Sequence, residues 1–157
     1  MIVEWLLLLA VIVLIAANAA FVAAEFSLVT VDRPTVARLS ADDPKAASLR
    51  EALRTMSTQL SGAQLGITIT SLVVGFIAEP SIAALLQVPI SALGLPEETA
   101  SVVAFTAAFL IATMVQMVFG ELVPKNWAIA EPLKVGRAVI GFQRGFTWVT
   151  RPLLWFL

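Results

Sequence analysis

Three long apolar runs dominate the chain, and two charged segments follow the first and the third. The first run occupies residues 2–31, with about 20 apolar residues in succession, enough to cross a bilayer as a helix. Asn18 and Glu25 lie seven apart on it and share a helix face. Residues 32–60 change character. Basic Arg33, Arg38, Lys45, Arg50 and Arg54 alternate with acidic Asp32, Asp42, Asp43 and Glu51, over an apolar recurrence at Val36, Leu39, Leu49, Leu53 and Met56. That pattern predicts two short amphipathic helices at the membrane surface, broken at Asp42-Asp43-Pro44. The second run, residues 60–77, is predicted to stop at Glu79-Pro80, with 81–88 as a further short piece. Residues 89–98 hold Pro89, Gly94 and Pro96 and read as a loop. The third run, about 99–123, is predicted to break at Pro124-Lys125. The remainder predicts an amphipathic surface segment, then a piece that re-enters or crosses.

The second run carries polar residues in register. Gln64, Thr68, Ser71 and Gly75 fall at i, i+4, i+7 and i+11, one helical stripe. Gly62 and Gly66 form a small-xxx-small pair that permits close helix approach. The stripe suits either an oxygen shell for a cation or hydrogen bonding between spans.

Composition places the chain in the membrane. Hydrophobic residues make up 59 % and charged residues 13 % of 157 residues, more apolar surface than a soluble domain of this size hides. The first residues, MIVEW, lack the basic start of a cleaved signal, so the first run reads as a retained span. A net charge of −1 argues against a nucleic-acid partner. With no Cys and no His, zinc, copper and iron–sulfur chemistry is disfavoured. Oxygen donors remain, and these suit hard cations. No nucleophile–base arrangement is visible, so an enzyme is not expected. All ten Lys and Arg lie within 33–54 and 125–151. The positive-inside rule then puts both segments in the cytoplasm and the N-terminus outside, in a plasma (cell inner) membrane.

Glu121 is the outstanding chemical candidate. It is the only charged residue between Ser101 and Val123. A carboxylate at such a position is costly without a partner, a wet cavity or an ion. Pro124 frees backbone carbonyls beside it. The competing reading is an interfacial ion pair with Lys125, one turn away. Glu25 either lines the cavity or snorkels to the surface. Glu79 reads as a solvated helix end, and Glu97-Glu98 as a solvated helix start.

Three strings then carry a family resemblance. NAAFVAAEFSLVTVDR (18–33), QLGITITSLVVGFIAEP (64–80) and FGELVPK (119–125) resemble, in order, the three span signatures of the CNNM/CorC magnesium transporters. The resemblance covers essentially all of residues 1–157. It implies an all-α integral membrane domain: three transmembrane helices plus amphipathic juxtamembrane belt helices, working as a homodimer. It implies an inward-facing acidic cavity that binds Mg²⁺, with coupling to Na⁺ suggested by the family. It also implies that a cytosolic pair of CBS regulatory domains, able to bind ATP, follows in the longer protein. Carried over by position, the metal ligands are Glu121, the backbone of Gly120, Thr68 and Ser71. Relatives often carry Asn where this chain has Ile67 and Ser71, and Ser where it has Ala24. Ser27, or a carbonyl near Ala24, stands in on the first span. Asn18, Glu25, Gln64 and Gly75 complete the cavity lining. A different class of function stays open: a membrane anchor and dimerisation module that relays signals to cytosolic domains.

Overall fold

The computed structural model describes residues 2–94 and 96–156, and every element among them is a helix. α1 (Ile2–Thr30) is the first span. α2 (Arg33–Leu39) and α3 (Pro44–Arg54) are the two predicted amphipathic helices. Each starts at an Asp followed within two residues by a Pro. Asp32 Oδ2 accepts from the Thr35 N–H at 3.0 Å, and Asp43 Oδ1 accepts from the Lys45 N–H at 2.9 Å. A side-chain acceptor at the cap and a donor-free Pro in the first turn both satisfy a helix start.

α4 (Met56–Ser91) corrects the predicted breaks. It runs unbroken for 36 residues through Pro80 and Pro89. A proline removes one backbone bond, and a membrane helix absorbs that loss with local hydroxyls and neighbouring turns. Here Ser81 Oγ donates to the Ile77 carbonyl at 2.8 Å, next to the gap. At about 1.5 Å per residue α4 is near 54 Å long, so it overruns a hydrocarbon core of about 30 Å.

The third span is corrected in the same way. α5 (Glu97–Val115) passes without interruption into a π-helical segment (Gln116–Leu122) and then α6 (Val123–Ala130). Pro124 and Lys125 therefore sit inside a continuous rod, not at its end. The sequence signal was real but misread: the irregularity is a widened turn just before the proline, not a stop. Trp5–Thr30, Met56–Ser91 and Glu97–Ala130 are the helices long and apolar enough to cross a membrane among the described residues. α7 (Pro132–Leu154) is one amphipathic helix and is not among those three.

α1 is the hub, packed against α4, α6, α7 and the π segment, while α5 leans mainly on α4. α5 buries only Ala100, Ala104 and Ala108, a stripe of small residues at four-residue spacing. Its remaining face leaves Val102, Phe105, Phe109 and Leu110 exposed, as a lipid-facing surface does. Leu28, Val31, Val36, Leu49, Leu53 and Ile140 form an apolar cluster that ties α1, α2, α3 and α7 together at one end. The Asp43 carboxylate that caps α3 also pairs with Arg137 Nη2 of α7 at 2.6 Å. The two charged segments thus gather at one end of the bundle.

Candidate functional site

The site begins with a buried asparagine. Asn18 of α1 is fully buried, and it bridges all three spans. Its Nδ2 donates to the Gly120 carbonyl at 3.0 Å. Its Oδ1 accepts from Thr70 Oγ1 at 2.6 Å and from Ser71 Oγ at 3.2 Å. Gln116 Nε2 extends the chain by donating to Ser71 Oγ at 3.2 Å. The Gly120 carbonyl is available because Pro124, four residues on, has no N–H to give it. A Cβ at Gly120 would stand 3.0 Å from Gln116 Nε2 and 3.1 Å from Asn18 Nδ2, so a side chain there crowds the junction.

Beside this junction, between α4 and the third span, lies a cavity of about 240 Å³. α4 contributes Ser71, Gly75 and Glu79, at i, i+4 and i+8 on one face. The third span contributes Thr113, Gln116 and Glu121. The π segment is what aligns the last two. In an α-helix, residues five apart point about 140° away from each other, whereas i→i+5 bonding brings them toward one face. Two carboxylates, two hydroxyls and an amide thus face one volume. Gln116 Oε1 is buried and has no hydrogen-bond partner among the described residues. No group of three or more carboxylates able to hold a metal occurs among the described residues, so the donor set is mixed.

The structure brings together part of the set read from the sequence. Glu121, Ser71 and Gly75 line the cavity, and Gly120 and Asn18 form the junction behind it. Glu79 joins them from the middle of α4, where the sequence reading made it a solvated helix end. Glu121 and Lys125 form no ion pair; Lys125 Nζ sits 4.7 Å from the centre of the Phe26 ring. Thr68 is exposed, and its hydroxyl donates to the Gln64 carbonyl at 2.8 Å. Gln64 Nε2 reaches Glu25 Oε1 at 3.5 Å, a separate contact between α1 and α4. Ser27 is buried near Leu49 and Gly136, where α1 meets α3 and α7. It lies nine residues, about 13 Å of helix, beyond Asn18. Ala24 is fully buried in the packing of α1. The sequence reading missed Thr70, Thr113 and Gln116. Thr113 and Gln116 were visible only as uncharged polar residues in an apolar run.

One family model, CNNM (Cyclin M transmembrane N-terminal domain), matches residues 9–157. The UPF0053 protein MT1890 of Mycobacterium tuberculosis is 40 % identical over 148 residues, covering 94 % of this chain and 32 % of that protein. The UPF0053 protein YugS of Bacillus subtilis is 35 % identical over 150 residues, covering 95 % of this chain and 33 % of that protein. The chain spans about a third of the length of these relatives. A protein of Haemophilus influenzae named "Polyamine export protein" is 38 % identical over 53 residues, 34 % of this chain.

Proposed function

We propose, from the premise that this chain belongs to the CNNM transmembrane-domain family, that it is the membrane domain of a Mg²⁺ transporter whose cavity carries the ion. The observation that supports this most is the cavity itself. Glu79 and Glu121 face one volume with Ser71, Thr113 and Gln116, inside helices apolar enough to span a membrane. Intramembrane carboxylates are kept where they serve an ion or proton path. Mg²⁺ takes oxygen ligands and sheds water reluctantly. About 240 Å³ far exceeds the ~10–15 Å³ that one water needs, so a cation fits with part of its hydration shell. Glu121 supplies charge, Ser71 and Gln116 supply neutral oxygens, and the Gly120 carbonyl joins if Asn18 releases it. An inward-facing cavity, Na⁺ coupling, a homodimer, a plasma-membrane location with a cytoplasmic C-terminus, and ATP-binding CBS domains downstream complete the reading.

Isothermal titration of the purified protein with Mg²⁺ tests it. Glu121→Gln is expected to abolish the binding heat while the protein elutes as the wild type does. Unchanged affinity removes Glu121 from the site. The anchor reading, in which Glu121 needs Lys125, draws no support from a lysine that rests on Phe26.

A second reading rests on the walls. Val74, Phe109, Ala112 and Met117 also line the cavity, and apolar walls between two carboxylates suit an organic polycation. The relative named for polyamine export makes this the natural competitor. Titrating spermidine against Mg²⁺ separates the two: spermidine binding that survives saturating Mg²⁺ favours the polycation.

A further inference from the structure

A second cavity, of about 340 Å³, lies where α3, the start of α4 and α7 meet, well away from the acidic one. Arg144, Arg151 and Trp148 of α7 line it with Thr55 and Thr58. Arg144 and Arg151 are seven apart and share a helix face. Arg144 is held in place, its Nη1 donating to Ser48 Oγ at 2.8 Å. Glu51 is also in the wall, but its Oε2 lies 3.5 Å from Arg54 Nη1, which matches its charge. The wall behind is rigid: Gln143 Nε2 donates to the Gln59 carbonyl at 2.9 Å and to Thr147 Oγ1 at 3.0 Å. The outward side is apolar, with Trp148 75 %, Val149 66 % and Trp155 84 % exposed.

We propose that this pocket binds the phosphate of an anionic phospholipid headgroup. Guanidinium forks match phosphate oxygens with paired donors, and hydroxyls from Thr55 and Thr58 add further ones. Basic pockets between helices at the end of a membrane bundle take lipid headgroups, and exposed indoles sit at headgroup depth. A lipid, more than free phosphate, is selected by the exposed apolar strip on α7 that continues from the pocket and gives acyl chains a surface.

Native mass spectrometry of the full-length protein, released from micelles holding equal phosphatidylglycerol and phosphatidylcholine, tests this. The wild type is expected to retain phosphatidylglycerol preferentially. Arg151→Gln is expected to cut the retained lipid about tenfold, the loss of one charge-assisted bond. The Arg144→Gln, Arg151→Gln double variant is expected to abolish it. Arg151 is exposed, so its variant stays interpretable even if Arg144→Gln disturbs the fold. Lys134→Gln, a cation outside the pocket, is expected to change nothing. Equal retention in all variants overturns the proposal, as does equal loss with Lys134→Gln. Displacement of the lipid by millimolar inorganic phosphate also overturns it, since the ligand is then free phosphate.

Discussion

At the scale of single residues, Asn18 carries the most structural weight per atom. Its amide uses both ends, donating to one span and accepting from another. Asn18→Leu keeps the branched outline of the side chain but strips the Gly120 carbonyl of this donor. A buried unmet acceptor costs about 1–3 kcal/mol, while hydrogen bonds measured between membrane helices average about 0.6 kcal/mol. With three bonds lost together, a destabilisation of about 2 kcal/mol is expected. Thermal unfolding of the detergent-purified variant checks it, and an unchanged midpoint removes the junction's structural role. The sequence showed Asn18 as a polar residue in a greasy run and placed it on the lining of the cavity. Its position behind the wall was not legible, because one helix's periodicity gives a face but not the neighbour that the face meets. Glu79 was misread for a related reason. Its meaning depended on whether Pro80 ends a helix, which only the packing around it decides.

Among elements, the contact of α1 with α4 is set by a missing side chain. A Cβ at Gly66 would come within 2.6 Å of the Phe21 ring. That ring cannot retreat, being wedged between Phe142 at 4.8 Å and Phe146 at 4.7 Å between centroids. Gly66→Ala is expected to cost about 1–3 kcal/mol by overpacking. Gly141→Ala, with nothing within 4 Å of its added carbon, is expected to be neutral or slightly stabilising in the same melting experiment. The small-xxx-small spacing announced this approach from sequence, though not that an aromatic ring would fill it. The amphipathic helices were the most legible elements, since Asp-Pro starts leave little choice. Hydrogen bonds from Thr35, side chain first and then backbone, with Arg38 nearby, hold the Asp32 carboxyl below its ordinary value of 3.8. A carboxyl depressed in the folded state stabilises above its unfolded value and loses that contribution as pH falls through the folded one. The start of α2 is therefore expected to loosen in acid below about pH 4. Hydrogen exchange at Thr35 and Val36 should rise there, and Asp32→Ala should show the looser state at every pH.

For the molecule as a whole, binding energy and fold stability are linked. A ligand held only by the folded protein raises stability by about 2.7 kcal/mol at a hundred times its dissociation constant. Mg²⁺ is therefore expected to raise the wild-type melting temperature, to leave Glu121→Gln unmoved, and to shift Glu79→Gln by an intermediate amount. A full shift in Glu121→Gln places the ion elsewhere. The three-span plan, the surface helices and the gathering of basic residues at one end were all readable from the distribution of charge. The π segment was not, because residue types do not announce a widened turn; Pro124 marked its neighbourhood without revealing its form. That turn fits one extra residue into the rod, much as a calendar inserts a leap day. Deleting Val118 would restore ordinary winding with the two halves of the span still in phase, because Gln116 and Glu121 would then stand four residues apart and share a face. The second carboxylate would keep its place on the chamber shared with Glu79, and every apolar position above it would stay where it was. A protein so altered should insert and melt like the parent and still give heat with Mg²⁺; loss of that heat with an unchanged melt would locate the decisive geometry in how the helix is wound as much as in which residues it carries.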